Sequence, residues 1–162
     1  MMYKRIEINN LKEIQAELIE YDFFSKTPDE WSDDSPLERT RRSGAFFYGI
    51  PNLPKLKDFL NSVVHIEYIT HCNIINLAGN DQSDIHKDLD NSPWALNIPI
   101  LNCETTYTAF YDNDKHEIGR IALTTPYFLN IERYHQIFNL GNNNRLVISF
   151  RFIGKDLADI IK

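Results

Sequence analysis

His86 and Asp88 stand two residues apart in the segment Asp84-Ile85-His86-Lys87-Asp88. In an extended chain such a pair projects from one face, so an imidazole and a carboxylate can grip the same metal ion. A third ligand must come from elsewhere in the fold, and the best-placed candidate is His135, in the strand-like stretch YHQIFNL 49 residues further on. Two imidazoles and one carboxylate cap one face of an octahedron and leave three positions open, a donor set suited to Fe(II) and to dioxygen chemistry. The same donors also accept manganese, cobalt or nickel, because affinity order does not select iron. An isolated His-x-Asp is common on solvated surfaces, so the assignment needs support from other residues.

Arg145 supplies it. It lies ten residues beyond His135, past the turn signal LGNNN, at the head of RLVISFRF. Strand alternation puts Leu146, Ile148, Phe150 and Phe152 on a packing face and turns Arg145 and Ser149 together to the other side. A guanidinium directed at an interior needs a planar anionic partner, and its fork fits a carboxylate bidentately. Arg151, at the far end of the same face, is the rival and is expected at the surface or in an ion pair.

The order His86-x-Asp88, then His135, then Arg145 resembles the Fe(II)- and 2-oxoglutarate-dependent oxygenases over residues 70–152. The stretch from His135 through Leu146 is similar in spacing to the aspartyl/asparaginyl β-hydroxylase-like branch, with the prolyl-hydroxylase-like branch the other near relative. Asp88 departs from the animal members of the first branch, which lack an acidic ligand. The resemblance implies a double-stranded β-helix core, jelly-roll and cupin-like, in which His86, Asp88 and His135 bind Fe(II). It also implies that Arg145 pairs with the distal carboxylate of 2-oxoglutarate, helped by the Ser149 hydroxyl, and that Asn97, in WALNIP, makes a polar contact to this co-substrate. The plainer reading of Asn97 is a strand residue satisfied by backbone groups. The implied reaction uses dioxygen to hydroxylate a C–H bond of a small molecule or peptide side chain, releasing succinate and carbon dioxide. Two other readings use the same residues: a cupin-like metal protein without 2-oxoglutarate, where Arg145 has no evident task, and a non-catalytic binding module, for which loss of a triad residue would be expected.

The elements that must position these residues follow from periodicity. Leu11, Ile14, Leu18 and Ile19 recur at helical spacing after Asn10, an N-cap with Glu13 three residues on, and predict a helix over 11–20. Residues 52–63 (NLPKLKDFLNSV) predict a second amphipathic helix. Between them, residues 25–44 read as a long polar loop with Trp31 and the Arg39, Arg41, Arg42 cluster, suited to closing over a substrate. A short strand is expected at 45–48, and further strands at 64–70, 72–77, 94–100, 105–111, 117–123, 127–131, 134–139 and 145–152. The expectation is one domain over 1–162, mainly β with flanking helices: helices and loop over 1–63, then a β core over 64–153.

Composition sets the outer limits. At 162 residues with 43% hydrophobic and 25% charged residues the chain is an ordinary globular domain with enough length for its own core. A net charge of −6 argues against a phosphate-tracking nucleic-acid surface. Cys72 and Cys103 are too few and too far apart for a disulfide framework or CxxC site, and are expected as small buried thiols in a reducing, cytoplasmic setting. The start MMYKRIEINN has no apolar leader, and no run reaches the roughly 18 apolar residues of a membrane span. His65 and His71, around an apolar stretch, are expected to make structural hydrogen bonds, and His116, in the turn DNDKHE, to be exposed. Trp94, Tyr107, Phe110 and Tyr111 are expected to pack in the core.

Overall fold

The computed structural model describes residues 1–21, 30–31, 42–88 and 92–162. Alternation of apolar residues along β11 (Arg145–Phe152) organises it. Ile148, Phe150 and Phe152 join the larger hydrophobic cluster, while Val147 joins a second one on the opposite face. Around β11 a seven-stranded antiparallel sheet runs in the order β1 (Tyr3–Arg5), β9 (Tyr127–Asn130), β6 (Trp94–Leu101), β11, β4 (Ile69–Leu77), β3 (Arg42–Tyr48), β2 (Glu30–Trp31). A four-stranded sheet, β5 (Asp81–Gln82), β10 (Tyr134–Asn139), β7 (Thr106–Tyr111), β8 (Glu117–Ala122), faces it. Two antiparallel sheets with apolar residues between them form the mainly β, jelly-roll architecture expected from the sequence.

The outer face of the large sheet is covered by α1 (Leu11–Tyr21) and α2 (Pro54–Val63), through buried Ile14 and Leu18 from one and Leu56, Phe59 and Leu60 from the other. The Asn10 carbonyl accepts the N–H groups of Glu13 and Ile14 at 3.1 and 3.2 Å, opening α1 where the capping pattern places it. Glu17 in turn accepts the N–H groups of Lys55 and Leu56 at 3.1 and 2.9 Å, so α1 satisfies two of the orphan donors at the start of α2. The sheet facing the helices is thus braced by a helix pair locked to itself.

Several boundaries differ from expectation. Of the strand expected at 64–70 only Ile69 and Thr70 are in one, as the start of β4: Val64 makes only an isolated bridge to Ile161, and Ile66–Tyr68 form a 3-10 turn closed by the Tyr68 N–H on the His65 carbonyl at 3.0 Å. The strand that follows runs unbroken through His71, because it is paired on both sides, by β3 and β11. Within the expected loop 25–44, Glu30–Trp31 pair with Phe46 and Ala45, and β3 already begins at Arg42; the rest of that loop, including Arg39 and Arg41, lies outside the described residues. β1 and a short C-terminal helix α3 (Leu157–Ile160) were not expected. No helix among the described residues is long and apolar enough to cross a membrane.

Asn139 fixes the hairpin that leads into β11. Its side chain is 1% exposed and donates to the carbonyls of Leu77, Ala78 and Asn143 at 3.1, 3.1 and 2.8 Å. A Cβ on Gly79 would collide with the Asn142 backbone, so the two glycine turns abut without space for a side chain. Replacing Asn139 with Ala removes the two N–H groups that these three carbonyls share and is expected to lower the unfolding free energy by about 2–3 kcal/mol, measured by urea denaturation.

Candidate metal centre and buried anion site

The metal-ligand candidates come from two segments held side by side. Gln82 pairs with Phe138 at the end of β10, and a regular antiparallel register from there would set residue 86 opposite residue 134. His86 instead pairs with His135, through N–H to carbonyl bonds of 3.0 and 2.9 Å in both directions. One extra residue has been taken up around Asp84-Ile85, and a shift of one residue reverses which face a side chain occupies. His86 therefore shares the face of His135, and their rings lie 4.4 Å apart, inclined at 55°. The Asp88 N–H bonds to the Ile131 carbonyl at 2.9 Å, continuing the attachment past the ligand pair.

Each imidazole is oriented by a hydrogen bond at Nδ1: His86 to the Asp84 carbonyl at 2.7 Å and His135 to the Arg133 carbonyl at 2.9 Å. A carbonyl can only accept, so both Nδ1 atoms carry the proton and both Nε2 atoms present lone pairs, the tautomer a metal ligand needs. His86 Nε2 is 3.6 Å from Asp88 Oδ1, and one ligand atom from each of His86, Asp88 and His135 lies within 4.8 Å of the others. Burial draws the His135 pKa below its ordinary value, against the pull of the Arg133 carbonyl, and so favours the neutral ring. The donor set the sequence singled out is brought together.

Asp112, Asp114 and His116 also approach one another. There the Asp112 carboxylate is occupied by the N–H groups of Asp114 and His116 at 3.0 and 2.8 Å, which hold its pKa down. That is the internal bonding of an exposed turn, as expected for His116.

Of the two places expected for Arg151, the surface or an ion pair, the structure shows the ion pair. Arg151 is 8% exposed, not at the surface, and its Nη2 donates to Asp88 Oδ2 at 3.0 Å. The pair leaves Asp88 Oδ1 on the side of His86. The common parity of Arg145, Ser149 and Arg151 was the available signal; the partner, 63 residues away, was not legible.

Arg145 lies at the other end of the same strand, 2% exposed and paired across the sheet with Leu77. Its Nε has no hydrogen-bond partner, and no carboxylate among the described residues pairs with it. Burial pulls its pKa below the ordinary value, with only Cys103 and Tyr127 opposing. Between the two arginines, Ser149 stands directly opposite Asn97, and the Ser149 Oγ and Asn97 Oδ1 are likewise buried without partners. Backbone groups do not satisfy the Asn97 oxygen, contrary to the plainer reading. The buried Arg145 cation and the Ser149 hydroxyl can both donate and are left open on one face, where an anion with acceptor oxygens would satisfy them; the Asn97 Oδ1 beside Ser149 can only accept.

The remaining expectations divide. His71 Nδ1 lies 2.9 Å from Thr70 Oγ1 and His65 Nδ1 3.3 Å from Glu67, both local structural contacts. Trp94 and Phe110 are core residues in different clusters, and Cys72 and Cys103 are buried thiols not engaged in a disulfide. Tyr107 and Tyr111 instead stack on Phe138 and bond to Gln136 on the far face of the small sheet.

No protein-family model matches the sequence, and no curated protein matches it significantly. Solved structures do share its fold. A Pseudomonas putida prolyl-4-hydroxylase superposes with a TM-score of 0.61 at 11% identity, over 95% of this chain and 93% of that one. SnoK, a non-haem alpha-ketoglutarate-dependent carbocyclase of nogalamycin biosynthesis, gives 0.57 at 10% identity, over 95% of this chain and 80% of that one. The capsular polysaccharide assembling protein CapF of Staphylococcus aureus gives 0.51 at 13% identity over 87% of this chain, which spans only 32% of that protein.

Two measurements check the electrostatic picture. A cation buried for packing alone would be missed on removal, whereas an uncompensated one costs stability. Arg145→Met is therefore expected to raise the unfolding free energy of the ligand-free protein by about 1–4 kcal/mol in urea denaturation. The Cys103 thiol, pushed up to about 11 by burial against the opposing Arg145 charge, is expected to resist iodoacetamide at pH 8 until the chain is unfolded.

Proposed function

We propose that this chain is an Fe(II)- and 2-oxoglutarate-dependent oxygenase that hydroxylates a C–H bond of a small molecule or a peptide side chain. The observation that carries the proposal is the buried Arg145 guanidinium, which has no carboxylate partner among the described residues, on the same strand face as the arginine that binds the Asp88 side of the triad. A cupin-like metal protein that uses no 2-oxoglutarate leaves that cation without a purpose. The likeness to a fold neighbour described as non-haem and alpha-ketoglutarate-dependent supports the same reading.

In this reading His86, Asp88 and His135 hold the iron, and Arg145 receives the distal carboxylate of 2-oxoglutarate. The Ser149 hydroxyl and the Asn97 side chain complete the contacts to it. Iron with 2-oxoglutarate and dioxygen supplies a strong oxidant for C–H bonds, with succinate and carbon dioxide as the other products. The chain's own residues bind, orient and exclude. The Asp84 and Arg133 carbonyls fix both imidazole rings before any metal arrives, which removes reorganisation from the binding step. Arg151 fixes the Asp88 carboxylate through one oxygen and leaves the other to ligate. The apolar residues between the sheets, Val147, Leu129 and Phe110 among them, keep water from the reacting region.

Anaerobic titration with Fe(II) and then 2-oxoglutarate tests this. The expected result is a weak visible charge-transfer band that requires both components, disappears in His135→Ala, and in Arg145→Met requires at least about 30-fold more 2-oxoglutarate. Iron binding without the band would replace the proposal with the cupin-like reading, and absence of iron binding would leave a binding module.

A further inference from the structure

The inner face of the large sheet continues past the triad. Arg151 stands opposite His71 in the pairing of β11 with β4, and His71 stands opposite Tyr48 in the pairing of β4 with β3. Directly opposed residues project to the same side of a sheet, so this row runs from the arginine on Asp88 outward across two strands, about 10 Å at ordinary strand spacing. Phe46, two residues before Tyr48, shares the side, whereas Phe47 between them packs on the helix-covered core. The rings touch: Phe46 and His71 have centroids 4.5 Å apart at 34°, and Phe46 and Tyr48 4.8 Å apart at 86°.

Burial does not account for this trio. Tyr48 is 72% exposed and Phe46 and His71 are only half-buried, although an apolar core lies on the other side of the same strand. Large rings left this exposed, on the sheet face that leads outward from the arginine on Asp88, contribute little to folding and present aromatic surface to solvent. A flat ring is what such a wall recognises over a saturated one of the same size, because offset and edge-to-face stacking need a π-system on both partners.

We propose that Phe46, His71 and Tyr48 form the substrate subsite, and that it takes a planar aromatic or heteroaromatic ring, held with its edge towards the His86-Asp88-His135 cluster. The metal chemistry at that cluster rests on the oxygenase reading; ring binding does not. The test measures affinities of two matched neutral pairs, 2-naphthol against decahydro-2-naphthol and benzamide against cyclohexanecarboxamide, by ligand-observed NMR on the full chain. Each is measured with and without Zn(II) and 2-oxoglutarate.

The aromatic member of each pair is expected to bind about tenfold more tightly than the saturated one, and the preference to vanish in Phe46→Leu and Tyr48→Leu, which keep apolar bulk and lose the π-face. The charge-transfer band of the iron complex should remain in both variants, showing that fold and triad are intact. Equal affinity within the pairs, no binding by any of the four up to their solubility, or a preference that survives both substitutions would overturn the subsite. Ring preference in a chain that gives no charge-transfer band would retain the subsite and remove the oxygenase reading instead.

Discussion

The reciprocal pair of main-chain hydrogen bonds between His86 and His135 is the constraint on which the site depends. Neither residue could be a ligand alone. His135 belongs to a regular strand and is placed by the small sheet, but His86 sits in a short connecting segment with an isolated bridge in place of a strand. Joining them at main-chain level fixes the relative position of two imidazoles through atoms that every residue carries, so the side chains are left free for chemistry. The extra residue near Asp84-Ile85 decides the facing. Had the register remained regular from Gln82, His86 would point away from His135, and the carboxylate two residues on would follow it.

A second constraint comes from placing charge between two sheets. β11 separates two tasks by parity: Ile148, Phe150 and Phe152 face the helices and the larger core, and Arg145, Ser149 and Arg151 face the gap. The helix-facing side supplies the burial that keeps the strand in place, which is what permits the other side to carry polar groups at a cost to stability. Arg151 recovers part of its desolvation cost from Asp88. Arg145 has no such partner among the described residues, and the open atoms of Ser149 and Asn97 lie along the interval between them. A strand that carries this deficit is held by its two neighbours, β4 and β6, along nearly its whole length.

Much of this was legible in the sequence where a period or a fixed spacing expresses it. The bounds of β11 match the expected 145–152 because its apolar residues alternate without interruption. The His86, Asp88 and His135 grouping follows from a two-residue spacing and one further imidazole in a strand. What failed failed for want of local signal. VHIEYIT alternates like a strand, yet the chain turns at Ile66–Tyr68, where no strand among the described residues pairs with it. Tyr3–Arg5 carries no alternation and becomes β1 only by lying against Tyr127–Leu129. The pairing of Arg151 with Asp88, and the meeting of Phe46 with His71, are products of register between distant segments, which no short window of sequence contains.

The order of groups across the inner face gives the site a direction. Arg145 and Arg151 are six residues apart on one strand, about 20 Å between their Cα atoms at ordinary strand rise. The open Ser149 and Asn97 atoms lie between them and the triad lies at the Arg151 end. An anion that bridges the buried cation and the metal ligands must therefore lie along the strand. The aromatic row of His71, Phe46 and Tyr48 leaves Arg151 at right angles to that, across β4 and β3 towards the edge of the sheet. The two features therefore lead away from the triad in perpendicular directions, one along the strand between the sheets and one across the sheet through His71 to Tyr48.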